Sequence, residues 1–485
     1  MIACIVALRL SFPATFIFME DEARAVDYAL KVTRDHTFLT HTWPSSVGVT
    51  NSPVFIYLIA PFVALSSSPL FVTLCLNILN IASLPIGYAF LRRILDEREA
   101  RMTVLIWGIS PVAIHYSQKI WDPVPLPLFS AALAYACVRV LTGTRSRWIF
   151  WVPLISSVMA QIHQSAAFFC GVALFALVIH RPRIHWPFLA GGIVAGGVAA
   201  VPYLLYFLES GFDELTAYGR RFGGDLPDID VVTNFFMNVT GHSIFNPAGR
   251  DSLAFVNWPF PLFGGAVAVV LLLLLPVVVF GAIELHHRAT LRLSRRRPFV
   301  RPGDAPVYNF LMLLTWGLPV LYLLLRVPGW PHYFIVAFPV VFALVPLGVT
   351  RLRRNRPRYF LTRLVPVLVV LIAIQSLCFQ SMTTYRRGGT SFGVLQGFAR
   401  RIAGEVLAEA RRDGNVEPEG GTLRVSINGP RASSGVPVQW QFLFREEFGV
   451  RALSPGNGPY YSVTIRWDRS AWSRGEYDIE LTPER

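Results

Sequence analysis

Apolar runs long enough to cross a lipid bilayer recur along most of this chain, and no other feature constrains its fold so tightly. A hydrocarbon core about 30 Å thick takes roughly 20 residues of helix. Runs of that order fill residues 70–91, 102–118, 123–141, 186–208, 258–283, 306–326, 331–350 and 359–380. Only 15% of the 485 residues are charged and 53% are hydrophobic, whereas a soluble chain carries about 25% charged residues. The sequence therefore predicts an α-helical polytopic membrane protein.

The formal charge of +14 would suit a nucleic-acid partner if the cations formed one stripe. Instead they gather in short loops between apolar runs: Arg92, Arg93, Arg98 and Arg101, then Arg145 and Arg147, then Arg181 and Arg183, and two larger groups at 288–301 and 351–363. Short basic loops mark the cytoplasmic side, so the charge reports topology and no nucleic-acid partner is expected. Every segment between two such loops must cross an even number of times. The apolar stretch 148–180 then becomes two short crossings with His163 at the outer turn. Residues 53–65 are too short to span and read as an interfacial helix, while residues 2–18, interrupted by Arg9, read as a first helix rather than a cleaved leader. The total is about eleven transmembrane helices, with the amino end inside and the carboxyl end outside.

Two domains follow. Residues 1–381 form the transmembrane domain, with outer loops at 19–69 and 209–257, and residues 382–485 form a small extracytoplasmic α/β domain. In the latter, 393–412 has the periodicity of an amphipathic helix, and 423–427, 460–467 and 477–481 alternate like strands. The five cysteines (Cys4, Cys75, Cys137, Cys170, Cys378) all lie in apolar spans without metal-site spacing.

Chemistry-bearing residues cluster on the outer side. Glu20-Asp21-Glu22-Ala23-Arg24 follows the first helix, where carboxylates can act as a general base or simply cap the next helix. His115 to Pro123 contains Lys119, one of only two lysines in the chain, and Asp122 before a proline. An outer cation runs against the positive-inside bias, so Lys119 suggests an anionic partner such as a lipid phosphate. His163 sits in a polar cluster with Gln161, Gln164 and Ser165, and a fourth group holds Arg326, Trp330, His332 and Tyr333. Asn238-Val239-Thr240 matches the short glycosylation sequon.

The order of these motifs resembles the GT-C superfamily of membrane glycosyltransferases, in its bacterial branch related to protein O-mannosyltransferases and lipid A aminoarabinose transferases. The resemblance rests on Asp21-Glu22-Ala23-Arg24, on Asn51-Ser52-Pro53 through Tyr57, on Ser110-Pro111 through Trp121-Asp122-Pro123, and on His332-Tyr333-Phe334. It implies a GT-C-like bundle in the bacterial cytoplasmic membrane. The implied activity is inverting transfer of a sugar from a polyprenyl-phosphate donor to an acceptor hydroxyl at the outer face. Membrane lipid and a cell-envelope glycan, lipid or protein acceptor are the implied partners. Asp21 and Asp122 take the catalytic positions, with Glu22, Arg24, Lys119, His163, Arg326, His332 and Tyr333 around the substrate. No cofactor and no protein-bound metal are implied, and metal dependence stays open. One departure stands out: related lipid A transferases carry a lysine where this chain has Ser52, which leaves the donor phosphate to Lys119, Arg24 or Arg326. The competing reading is a transporter or flippase of lipid-linked sugars, which would need a similar outer acidic site. The sugar and the acceptor carry no readable motif; the 209–257 loop and the C-terminal domain are where that specificity would lie.

Overall fold

The computed structural model describes residues 2–11, 16, 18–45, 48–143, 145–211, 230–240, 261–293, 305–327, 329–355 and 365–377, isolated positions between 396 and 412, and the segments 422–429, 432–435, 438–448, 451–453, 460–466 and 478–484. In chain order the helices are α1 (Ile2–Leu10), α2 (Glu20–Thr33), α3 (Val54–Leu65), α4 (Pro69–Leu91), α5 (Glu97–Ile109), α6 (Pro111–Ser117), α7 (Leu126–Thr142), α8 (Trp151–Ile162), α9 (Gln164–His180) and α10 (Trp186–Ser210). They continue with α11 (Asp230–Met237), α12 (Pro261–Leu293), α13 (Ala305–Leu324), a 3-10 turn (Pro331–Ala337), α14 (Phe338–Val341), α15 (Leu344–Asn355), α16 (Val365–Leu377) and α17 (Val438–Phe448).

Among the described residues four helical stretches are long and apolar enough to cross a bilayer: Pro69–Leu91, Trp186–Ser210, Leu272–Thr290 and Pro306–Leu324. A fifth is possible through the pair Pro331–Val341 and Leu344–Arg354, bent by 50°. Prolines divide several of the apolar runs. Pro111 splits the run 102–118 into α5 and α6, with Ser110 extended at ψ 130°, because the residue before a proline is driven out of the α region. The 53–65 segment is the short helix α3. Outward-facing Ile193, Val194, Val198, Leu204 and Leu208 leave α10 mostly exposed, an apolar face suited to lipid rather than water.

Small residues set the closest approach. A Cβ added at Gly281 on α12 would lie 1.9 Å from the Leu344 carbonyl oxygen, and one at Gly348 on α15 would lie 1.9 Å from that of Val277. Helix backbones meet this closely only where a side chain is missing. Asn238, in the sequon match, is fully buried and its amide donates to the Pro331 carbonyl at 3.3 Å, which makes it a packing residue.

The C-terminal strands are β1 (Thr422–Gly429), β2 (Ala432–Gly435), β3 (Arg451–Leu453), β4 (Tyr460–Arg466) and β5 (Asp478–Glu484). They form one mixed sheet in the order β2-β1-β4-β5, with β3 also paired to β1. β1 runs parallel to β3 and β4, antiparallel to β2, and β4 antiparallel to β5. Parallel neighbours need a crossover, and α17 supplies it between β2 and β3. The helix expected over 393–412 lies largely outside the described residues.

Candidate active site

The site is built from a helix start, a loop and two helix breaks. α2 begins with Met19 extended at the N-cap, and the Met19 N–H donates to Glu22 Oε2 at 3.1 Å. Acids in this first turn are favoured by the positive helix end. The three carboxylates nevertheless divide their work. Glu22 is buried and makes the cap, and Glu20 pairs with Arg24 one turn on. Among the described residues Asp21 makes neither bond, and it stands exposed.

Lys119 and Asp122 arrive on the loop that joins α6 to α7. The Lys119 ammonium lies 4.9 Å from the Trp121 ring and 5.6 Å from that of Tyr116, positions in which a cation is attracted to the ring faces. It also acts on both acids of α2. Burial raises the Glu22 carboxyl to about 7 against the pull of Lys119. Asp21 keeps much of its surface open, yet the protein packed round the rest of it raises its carboxyl too, with Arg24 and Lys119 opposing and Glu20 reinforcing. Burial and the charge of Asp21 hold Asp122 well above the usual carboxylate range. Asp21 and Asp122 are thus close enough to affect each other, and two neighbouring carboxylates resist ionising together.

The loop is held at both ends by a buried arginine in α1. Arg9 donates from Nη1 to Asn80 Oδ1 at 2.7 Å, from Nε to the Gly108 carbonyl at 2.9 Å and from Nη2 to the Trp107 carbonyl at 3.3 Å. Asn80 passes the connection on, donating to the Val124 carbonyl at 3.0 Å, while Gln118 donates to the Arg9 carbonyl at 3.1 Å. Gln118 precedes Lys119 and Val124 follows Pro123, so this network frames the segment that carries the lysine and the aspartate.

His163 is the extended residue between α8 and α9. Its Nδ1 accepts from the Ser165 N–H at 3.2 Å, so the neutral ring carries its proton on Nε2. Burial pushes it down to about 4, which keeps it neutral at physiological pH. The 3-10 turn brings His332 and Tyr333 alongside. Ring centroids lie 6.1 Å apart for His163 and His332, 5.6 Å for His163 and Tyr333, and 4.7 Å for Trp121 and His332. Tyr333 is also within the electrostatic reach of Asp122, and His332 within that of Lys119.

The structure therefore gathers Asp21, Glu22, Lys119, Asp122, His163, His332 and Tyr333, with Arg24 at the edge. Arg326 is exposed in a left-handed turn (φ 54°) after α13; Arg24 and Lys119 act on Asp21, and Lys119 on Glu22. Ser52 is buried and donates to Gln161 Oε1 at 3.3 Å, a structural bond. Sequence reasoning missed Trp121 and Tyr116, the rings flanking Lys119, and the Arg9–Asn80–Gln118 support. The signal for the support was present: an arginine inside one apolar run and Asn77 and Asn80 inside another mark polar groups that must meet. Among the described residues no group of three or more His, Cys, Asp and Glu has the arrangement of a metal site.

Residues 50–206 match the family described as dolichyl-phosphate-mannose-protein mannosyltransferase. Among solved structures, the chain is similar to ArnT from Cupriavidus metallidurans bound to undecaprenyl phosphate, at 13% identity and a TM-score of 0.51, covering 96% of this chain and 92% of that one. The apo state of the same ArnT gives 14% identity and 0.49 over 95% and 92%. Archaeal oligosaccharyltransferase AglB from Archaeoglobus fulgidus, in complex with an inhibitory peptide and a dolichol-phosphate, gives 13% identity and 0.42 over 98% and 70%. No curated protein sequence matches the chain. The chain shares its fold with that undecaprenyl-phosphate-bound ArnT, in keeping with the resemblance read from its motifs.

Proposed function

We propose that this protein is an inverting glycosyltransferase that moves a sugar from a polyprenyl-phosphate donor to an acceptor hydroxyl at the outer face of the cytoplasmic membrane. The observation that carries the reading is the meeting of Asp21, Asp122 and Lys119 at one site. A reaction of this kind needs a base for the acceptor and a cation for the departing phosphate. Asp21, exposed and beside two cations, is the base. It takes the acceptor proton as the acceptor oxygen bonds to the anomeric carbon. The bond from that carbon to the phosphate oxygen breaks, and its electron pair leaves on the polyprenyl phosphate. Lys119 faces the growing phosphate charge, and Asp122, whose carboxyl is pushed toward the protonated form by burial and Asp21, donates a hydrogen bond to donor or sugar. His163, His332 and Tyr333 supply neutral donors around the sugar.

The test is transfer from radiolabelled polyprenyl-phosphate sugars by purified protein in detergent, with product anomeric configuration read by NMR. A flippase has no measurable action without a sealed membrane, so turnover there with inverted configuration supports the proposal. No turnover with any donor, together with transport in sealed vesicles, overturns it. Lys119→Met is expected to lower kcat/KM by about 10²–10³-fold, the cost of losing one preorganised charge at a developing anion. It also removes a charge that lowers both Asp21 and Glu22. The acid limb of the pH–rate profile should therefore move to higher pH, because the base must be ionised to act and its raised carboxyl is raised further.

A further inference from the structure

We propose that α17, the crossover helix of the C-terminal sheet, is a brace that sets the position of the acidic helix α2, with Arg445 and Glu446 as positioning residues for Asp21 and Glu22. α17 packs against both β3 and α2, so it links the sheet to the helix that opens the site. Its contacts cover α2 from end to end. Ahead of the first turn, Phe442 meets Phe18 at a centroid distance of 5.7 Å, and Phe18 is fully buried. Midway, Arg445 Nη1 lies 2.8 Å from Asp27 Oδ1. At the C-cap, both guanidinium nitrogens of Arg34 face the Glu446 carboxylate, at 3.1 and 3.4 Å. Arg445 Nε also donates to Glu446 Oε1 at 3.1 Å, which joins the two pairs into one network.

The chemistry of these contacts favours placement over bulk stability. The charges are partly exposed, with side-chain exposures of 56% for Arg34 and 41% for Arg445, and exposed pairs contribute little to folding. They do fix register, because a bidentate arginine–carboxylate pair admits one geometry. The apolar part, Phe442, Leu443 and Phe444, is buried, and it anchors the chain as it enters α2. That entry fixes Met19, whose N–H donates to the capping Glu22 carboxylate, and so fixes the direction in which Asp21 projects. A helix held at its lead-in, its middle and its end cannot slide or roll without breaking one of the three contacts.

The brace concerns α2 whatever reaction occurs there, but its kinetic readout rests on the glycosyltransferase reading. Two measurements keep the failures apart. The first is hydrogen–deuterium exchange on the intact protein in detergent. Glu446→Arg sets a third cation beside Arg34 and Arg445 and should speed exchange of the amides of residues 20–33 by about 5-fold or more, leaving α4 unchanged. The exchanged pair Arg34→Glu with Glu446→Arg should reverse most of that increase, though not all, because the Arg445–Glu446 bond is not restored. The second is turnover. Glu446→Arg should lower kcat by about 10-fold, since small misplacements of a reacting group are costly. It should leave KM for the lipid donor within about 2-fold, and the exchanged pair should recover most of kcat. Arg34→Gln, at the more exposed end, supplies a milder variant if Glu446→Arg fails to fold. Unchanged exchange in the single variants, or an exchanged pair that behaves like Glu446→Arg, overturns the proposal. Absence of transfer by the wild-type protein overturns the glycosyltransferase reading alone and leaves the exchange result to decide the brace.

Discussion

Asp21→Asn is expected to reduce transfer from a polyprenyl-phosphate donor by about 10²–10⁴-fold, the range lost with a positioned general base, while the protein stays folded. The substitution is close to isosteric. Asp21 is exposed and, among the described residues, neither caps α2 nor accepts a hydrogen bond, so the Met19–Glu22 cap survives. What disappears is the ionised carboxylate. Because the protein packed round part of it raises the Asp21 carboxyl above its ordinary range, the wild-type rate should fall as pH drops through that raised value, earlier than for an ordinary aspartate. Asp122 makes the informative contrast. Burial and the charge of Asp21 push its carboxyl up, toward the protonated form, so Asp122→Asn, which resembles that form, should lose less, about 10-fold. Steady-state kcat/KM for the two variants checks the division of roles. Equal losses, or a larger loss for Asp122→Asn, would reject Asp21 as the base.

Much of the site could be read from the sequence because its signals were local. The acids of α2, the lysine beside an aspartate–proline pair and the histidine in an apolar hairpin are each departures from composition within a few residues. The structure joins them at one site. What could not be read depends on contacts between distant segments. Arg9 looked like an interruption in a first helix; only packing reveals that Asn80 and Gln118, 71 and 109 residues away, complete it and frame the loop of Lys119. Arg445 and Glu446 carry no motif, and nothing near them in the sequence indicates that their partners are Asp27 and Arg34. Arg326 shares a motif with His332 and Tyr333, and the structure sets it, exposed, in a left-handed turn after α13 that the motif does not announce.

The largest expected effect on stability lies at the far end of the bundle from these carboxylates. Glu99 opens α5, whereas Lys119 follows the end of α6, so the two mark opposite ends of one broken helix. At that far end Glu99 and Glu284 are buried and hold three arginines from α12 and α15. Arg288 grips Glu99 with two bonds of 2.7 and 2.9 Å and reaches Glu284 at 2.9 Å, while Arg351 and Arg354 approach Glu284 at 3.3 and 2.8 Å. Thr350 adds a bond to Glu99 at 2.8 Å. Glu284→Gln keeps the volume but leaves three guanidinium groups facing a neutral amide. Breaking a buried ion pair from one side costs about 3–5 kcal/mol, because the remaining charge stays desolvated. Glu97→Gln, which removes an exposed partner of Arg92 and Arg101, should cost under about 1 kcal/mol. Thermal unfolding in detergent compares the two directly. If Glu284→Gln unfolds no sooner than Glu97→Gln, the network is not what joins α5, α12 and α15. If it unfolds well before, while the fraction still folded transfers sugar at the wild-type kcat, the two ends of the bundle have separate work: one holds the helices together, and the other holds the reacting groups.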